Sequence, residues 1–448
     1  MWPVHTRSCS GSDVRRRSAL KLAAAAALAG LGGMKPVRRV MGAPLRARVV
    51  VIGGGFAGAT CALQLRALDP AIEVELIDPD DVYVTCPMSN AALVGLRTLD
   101  SLTITRSGLE RRGVRVIRDR VAAIDGGRRT ITLSRGSARR YDRLVFAAGI
   151  RFLWGRLEGY TEAAATALPH AWQAGEQTRL LAAQIAGLRP GGVVAISVPS
   201  GPMRCPPGPF ERASLLAEFF NRRNPRAKVM IFDANNHFPK QDVFTEAWRD
   251  LYPGMIEWVP VTEGGAVERV DASTMTLYTS KGAVRADVIN LIPPQAPPLL
   301  AAQSGLASEH GWCPIDPSGF ESTLVPNVHV IGDACIAEPM PKAASAANAQ
   351  AKRCARAIAR ALGAREAAQM PLESVCYSLL AAERALSIHA KFEVAEGTIK
   401  TVAAAAPADA APSSAAPSSA APASAASMAE AQNAARWYAG IVGDSFGV

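Results

Sequence analysis

The sequence predicts an α/β protein: two Rossmann-like, three-layer domains of the dinucleotide-binding type, followed by a smaller C-terminal interface domain. Three observations predict it. A strand–turn–helix–strand run over residues 48–78 carries a glycine fingerprint and a terminal acid. Two further strand-like runs suit the same sheet but lie some 180 residues apart, enough for a whole domain between them. That intervening stretch shows its own strand–helix–strand alternation. With 448 residues the chain is too long for one core, so two or three domains are expected.

The first element is a leader. Residues 1–43 hold eight basic residues and one acid, a net of +7, so of the formal +10 only about +3 remains for the rest. That balance leaves no nucleic-acid footprint. Arg15-Arg16-Arg17, then Ser18-Ala19-Leu20-Lys21 and an Ala/Leu run to Leu31, resembles a twin-arginine export signal. It predicts a periplasmic protein whose mature chain has no integral membrane span. The competing reading, a membrane anchor, needs a longer and less Ala/Gly-rich run than Leu22–Leu31.

Next, Arg48-Val49-Val50-Val51-Ile52 reads as a buried strand, Ala59–Leu68 as a helix and Glu73–Ile77 as a second strand ending in Asp78. Between the first two lies Gly53-Gly54-Gly55-Phe56-Ala57-Gly58. Gly53 makes the turn, Gly55 admits a pyrophosphate, and Gly58 lets helix and strand pack closely; Asp78 is spaced to bind ribose hydroxyls. Tyr141–Gly149 reads as a strand ending in Ala148-Gly149 beside a cofactor. Val328–Ala334 reads as another, with Gly332 and Asp333 at its end. Together they predict an FAD-binding domain over 46–160 and 285–342.

Residues 161–284 are expected to form the second domain. Gly192–Pro199 reads as a buried parallel strand, a helix follows from about Phe210 to Asn221, and Lys228–Phe232 reads as the next strand. The turn after the first strand lacks a second glycine fingerprint. It reads Ser200-Gly201-Pro202-Met203-Arg204-Cys205-Pro206-Pro207-Gly208-Pro209-Phe210-Glu211. Proline removes the amides that would cradle phosphates. A thiol, an arginine and a carboxylate stand there instead, which argues against NAD(P) and for electron exchange through sulfur.

Residues 343–402 are expected to form the C-terminal domain, opening with a small-residue helix over Ala343–Leu362. The Ala/Pro/Ser stretch 403–427 cannot bury a core and reads as a disordered linker. The aromatic tail 428–448 reads as a docking segment, the bland alternative being a loose terminus.

Cysteines 61, 86, 205, 313, 335, 354 and 376 remain after the leader, with no C-x-x-C pair for zinc or thioredoxin-type chemistry. No histidine shows metal-ligand spacing, so no metal is assigned to this chain. Nor does the chain carry the C-x-x-C-H of a c-type haem.

Several stretches resemble one family, the flavoprotein subunit of flavocytochrome c sulfide dehydrogenase, within the glutathione-reductase-like disulfide-oxidoreductase flavoproteins. They are Val51–Gly58, Tyr83–Asn90, Cys205–Arg212, Asn290–Gln295, Ile331–Lys342 and Cys376-Tyr377-Ser378. The Ala/Pro/Ser linker departs from the family, as does Ser374-Val375 where members commonly carry Asn-Thr. The resemblance implies FAD attached by a thioether to Cys86, which otherwise reads as a small buried residue. It implies a redox disulfide between Cys205 and Cys376, with Cys335 as the rival partner. It implies that Glu211 moves protons, where sequence alone also allows an ordinary helix-N-terminal acid. Sulfide would be the substrate and a separate c-type cytochrome subunit the electron acceptor, in a heterodimer. The alternatives are a sulfide:quinone oxidoreductase and a flavoprotein that only relays electrons.

Overall fold

The computed structural model describes residues 46–364, 368, 370–402 and 423–448. The expected leader, 1–43, lies outside them, as does most of the expected linker. The glycine fingerprint joins β1 (Ala47–Ile52) to α1 (Phe56–Leu68), and β2 (Ile72–Ile77) follows. α1 is built from Ala, Leu and other good helix formers and stops at Asp69-Pro70, since proline cannot continue it. β3 (Arg115–Ile117) and β4 (Arg143–Phe146) complete the first half of the sheet. β1 runs parallel to both β2 and β4, and β2 runs parallel to β3. The interior strands read as apolar runs because helices or loops cover both sheet faces; Val49, Val50 and Val51 are wholly buried.

The chain then leaves for the second sheet, crossing at Arg151–Phe152, which pairs antiparallel with Gln295–Ala296 on the way back. β5 (Val193–Val198), α2 (Gly208–Arg223), β6 (Lys228–Asp233), β7 (Ile256–Val259) and β8 (Val288–Leu291) make a four-stranded parallel sheet ordered β7-β6-β5-β8. Here the structure corrects the expected boundary. β8 pairs with β5, so the second domain runs past 285; the chain rejoins the first sheet through Ile315–Asp316 and Glu321–Ser322 at its edge and then β9 (Val328–Val330), beside β4. A four-residue apolar run such as Val288–Leu291 looks the same whichever sheet receives it.

A second correction concerns 343–402. α3 (Ala344–Ala361) packs along α1 in the first core, besides touching the C-terminal sheet. Small residues on both helices, Ala59 and Ala62 against Ala351 and Ala355, allow that close approach. The C-terminal unit is the antiparallel sheet β10 (Leu372–Ala381), β11 (Arg384–Ala395) and β12 (Thr398–Val402). It is pinned to α2: the Leu379 amide donates to Glu211 (2.9 Å) and the Ala382 amide to Glu218 (2.7 Å).

The tail forms α4 (Ala423–Phe446), which starts inside the segment expected as linker. It lies against β11 and α1. Phe446, fully buried, packs on Phe56 and Tyr83 with ring centroids 5.2 and 5.4 Å apart. The Asn348 side-chain amide donates to Asp444 (2.8 Å) and Ser445 (3.0 Å), and Tyr438 shares a hydrogen bond with Thr85 (2.8 Å).

Candidate active site

A cavity of about 660 Å³ runs from the glycine turn to the β10 strand. Its first end is a nucleotide cradle. Gly53 has φ +96°, and a Cβ there would stand 2.5 Å from the Ala147 carbonyl oxygen. Gly58 does not line the cavity, but a Cβ on it would sit 1.9 Å from the Gly53 oxygen, so helix and turn close up only on glycine. Gly55, Ala148, Gly149, Gly332 and Asp333 all line the cavity. Asp78 does so too, but its carboxylate is already engaged. It accepts from the Gly54 amide (2.5 Å) and pairs with Arg106 (3.1 Å). A carboxylate has about four acceptor positions, so ribose hydroxyls can still be received. The cradle, the acid and the cavity size fit FAD.

The other end holds sulfur. Cys86, Cys205 and Cys376 line the same cavity, all as free thiols. Cys205 lies in the proline-rich turn before α2 with φ +54°, a left-handed conformation that an L residue adopts only where its surroundings enforce it. Gly208 makes room for it, since a Cβ there would meet Trp172 at 2.8 Å and the Cys205 sulfur at 3.0 Å. Burial pushes the Cys205 thiol pKa well up, and the nearby Glu211 carboxylate and Cys376 push it further. Cys376, on β10, is also raised by burial, opposed by hydrogen bonds from serines. Its sulfur lies 3.2 Å from the Ser345 hydroxyl, itself 3.0 Å from that of Ser374. Ser374, one of the departures from the family pattern, thus supports the thiol. The rival, Cys335, is buried outside the cavity with its thiol directed at the Gly332 carbonyl (3.2 Å). Cys61, Cys313 and Cys354 are buried in the first core.

Glu211 enters from the first turn of α2. Burial raises its pKa, offset in part by hydrogen bonds from the Leu379 amide and Asn90. Its charge is felt by both Cys205 and Cys376, so one carboxyl faces both thiols. A buried carboxyl with a raised pKa suits proton transfer.

Sequence reasoning left four supporting residues without a role. Arg212, almost wholly buried, donates to Asn90 (3.0 Å), Asn290 (2.6 Å) and the carbonyls of His170 (3.0 Å) and Ala171 (2.7 Å). Asn90 also donates to Glu211 (2.8 Å). Arg106 holds Asp78. Arg204 donates to the Trp172 carbonyl beside Cys86 and Cys205. Only the run of Glu211-Arg212 hinted at this, since adjacent opposite charges inside an apolar helix require partners when buried.

Comparisons with known proteins agree with this geometry. Residues 47–179 match the pyridine nucleotide-disulphide oxidoreductase family. Residues 178–293 match the central region of the sulfide dehydrogenase (flavocytochrome c) flavoprotein chain, and 368–446 match the flavin-binding region of flavocytochrome c sulphide dehydrogenase. The flavoprotein chain of that enzyme from Chlorobaculum thiosulfatiphilum is 61% identical over 44 residues, 10% of this chain and 92% of that sequence. Mitochondrial sulfide:quinone oxidoreductase of Mus musculus is 22% identical over 314 residues, 67% of this chain and 68% of its own. The structure of the sulfide:quinone oxidoreductase from Aquifex aeolicus superposes with a TM-score of 0.66 at 20% identity, over 79% of this chain and 86% of that one, which shows a shared fold.

Fold and site together define a two-domain, FAD-binding oxidoreductase of the disulfide-oxidoreductase type. Its central and C-terminal regions are more specific. The chain belongs to the family of flavocytochrome c sulfide dehydrogenase flavoprotein chains, among the sulfide-oxidising flavoproteins.

Proposed function

We propose that this chain oxidises sulfide to sulfane sulfur with Cys205 and Cys376 as a redox pair, and passes the electrons to a c-type cytochrome subunit. The observation that carries this is that both thiols line one cavity with Glu211, whose charge both of them feel. The working form is the Cys205–Cys376 disulfide. HS⁻ attacks one sulfur, the S–S bond breaks, and one persulfide and one thiolate result. A second HS⁻ attacks the outer sulfur of the persulfide and leaves as HSS⁻, one proton going to Glu211. The two remaining thiolates give up two electrons and close the disulfide. The sum is two HS⁻ giving one HSS⁻, one proton and two electrons. FAD supplies a two-electron acceptor that is reoxidised one electron at a time.

In this reading Cys86 carries the flavin through a thioether. It lines the cavity, with its sulfur 3.9 Å from the Trp172 carbonyl. The basic leader directs export by the twin-arginine route to the periplasm, where the cytochrome partner is met. The test is sulfide bleaching of the flavin, followed by cytochrome c reduction. Cys205→Ser is expected to keep its flavin and lose bleaching; full turnover by that variant would refute the thiol mechanism. Acid denaturation followed by peptide mapping tests the Cys86 bond. A quinone-reducing reading is favoured by the relatives named sulfide:quinone oxidoreductase. Faster reduction of a soluble quinone than of cytochrome c would select it.

A further inference from the structure

The second sheet ends in a crevice with no task in the chemistry above. It has a volume of about 360 Å³ and lies beyond the C-terminal ends of β5 and β6, where Val198 and Asp233 line it. In open parallel sheets this is where a nucleotide binds. The residues do not fit one. Pro199, Pro202, Pro206, Pro207 and Pro209 carry no N–H for a phosphate. The Gly208 amide donates to the Cys205 carbonyl (2.9 Å), and the Cys205 amide to that of Lys342 (2.8 Å). Asp233, at the end of β6, is held by its own neighbours, accepting from the Asn235 side-chain amide (2.8 Å) and the Trp258 indole (3.1 Å).

Beside polar residues, the crevice offers soft, apolar side chains instead. Met203, Met340, Phe210 and Phe238 line it, the two phenylalanines stacked at 3.6 Å between centroids. One buried cation borders it, Lys342, whose ammonium donates to the Cys335 carbonyl (2.9 Å), lies 4.1 Å from the Trp312 ring and stands 3.9 Å from the carboxylate of Glu338, which also lines the crevice. The crevice and the flavin cavity share Pro206, Pro239 and Pro341 as walls, and Cys205 is the residue before Pro206.

We infer that this crevice is a binding site for sulfane sulfur, taking hydropolysulfide anions released from Cys205. The inference rests on the reading of Cys205 as the sulfur-bearing residue. Chains of divalent sulfur are polarisable and apolar, and match thioether and aromatic walls. Their anionic end is drawn to Lys342, whose pairing with Glu338 is long, at 3.9 Å, and open to displacement. The step that delivers them is attack of HS⁻ on the sulfur bonded to the Cys205 Sγ. That S–S bond breaks, the thiolate stays on Cys205, and the chain departs longer by one sulfur, its extra proton going to Glu211.

The test has two parts. Crystals of the flavin-loaded protein are soaked in sodium tetrasulfide and the sulfur atoms located by anomalous scattering. Sulfur between Met203 and Met340 is expected; sulfur confined to the flavin cavity overturns the inference. Second, His237→Trp, at an exposed position on the crevice rim, narrows the crevice from outside. Steady-state sulfide turnover is expected to fall about tenfold while the first flavin bleaching keeps its rate, because only release is obstructed. Unchanged turnover in a crevice filled by the new indole overturns the inference. If sulfide fails to bleach the unmodified protein, the reading of the active site itself falls.

Discussion

Phe446 is the anchor by which the last helix holds to the flavin domain, and Phe446→Ala measures that hold. The ring is fully buried between Phe56 and Tyr83. Removing a buried phenylalanine side chain costs about 3–5 kcal/mol in lost transfer energy and cavity formation. Phe446 lies in the final turn of α4, so the loss weakens docking of that helix before it weakens the whole fold. At about 1.4 kcal/mol per power of ten, opening of the helix should become roughly 100- to 4000-fold more frequent. Hydrogen exchange of the amides from Ala434 to Phe446 reads this directly, with the amides of β1 as an internal control. Trp437 lines the cavity, so the variant should also release non-covalently held flavin faster. Protection factors within tenfold of the unmodified protein would refute the reasoning.

Three further outcomes are expected. Burial holds the Glu211 pKa above its unfolded value, so the folded state binds more protons, and stability falls as pH rises from the ordinary carboxylate range through the raised pKa. Glu211→Gln should flatten that slope in thermal melts between about pH 4 and 8, whereas an unchanged slope assigns it to another group. Arg212→Ala strips donors from two asparagine side chains and two carbonyls, and should cost at least about 3 kcal/mol by urea titration; a loss under about 1 kcal/mol would contradict the network. Gly58→Ala places a methyl group 1.9 Å from the Gly53 oxygen, so soluble protein should be recovered without flavin or not at all; full flavin occupancy would disprove the tight turn.

Much of the first domain was legible because its signals are local. The turn at Gly53–Gly58, the apolar strands beside it and Asp78 all lie within one strand–helix–strand unit. The proline turn with Cys205 was equally plain, since the prolines occupy a place where amides are needed. What sequence did not disclose was pairing over distance. The apolar run Val288–Leu291 carries no mark of the sheet it joins, and α3 carries none of its preference for α1. Asn90 and Arg212 become intelligible only when residues 122 positions apart meet. The Arg106 that holds Asp78 was hidden too, because a partner 28 residues away leaves no periodic trace (106 − 78).

The Arg212 network has a consequence for maturation. It ties together chain segments near residues 90, 170 and 290, while its neighbour Glu211 grips the C-terminal sheet. Cys205 and Cys376 are 171 residues apart (376 − 205) and line one cavity only once these ties are made. A newly made chain presents eight thiols with nothing to sort them. An oxidant met at that stage would join cysteines by chance encounter and trap the chain. For the disulfide proposed above, assembly therefore has a fixed sequence: the fold closes first, and oxidation follows.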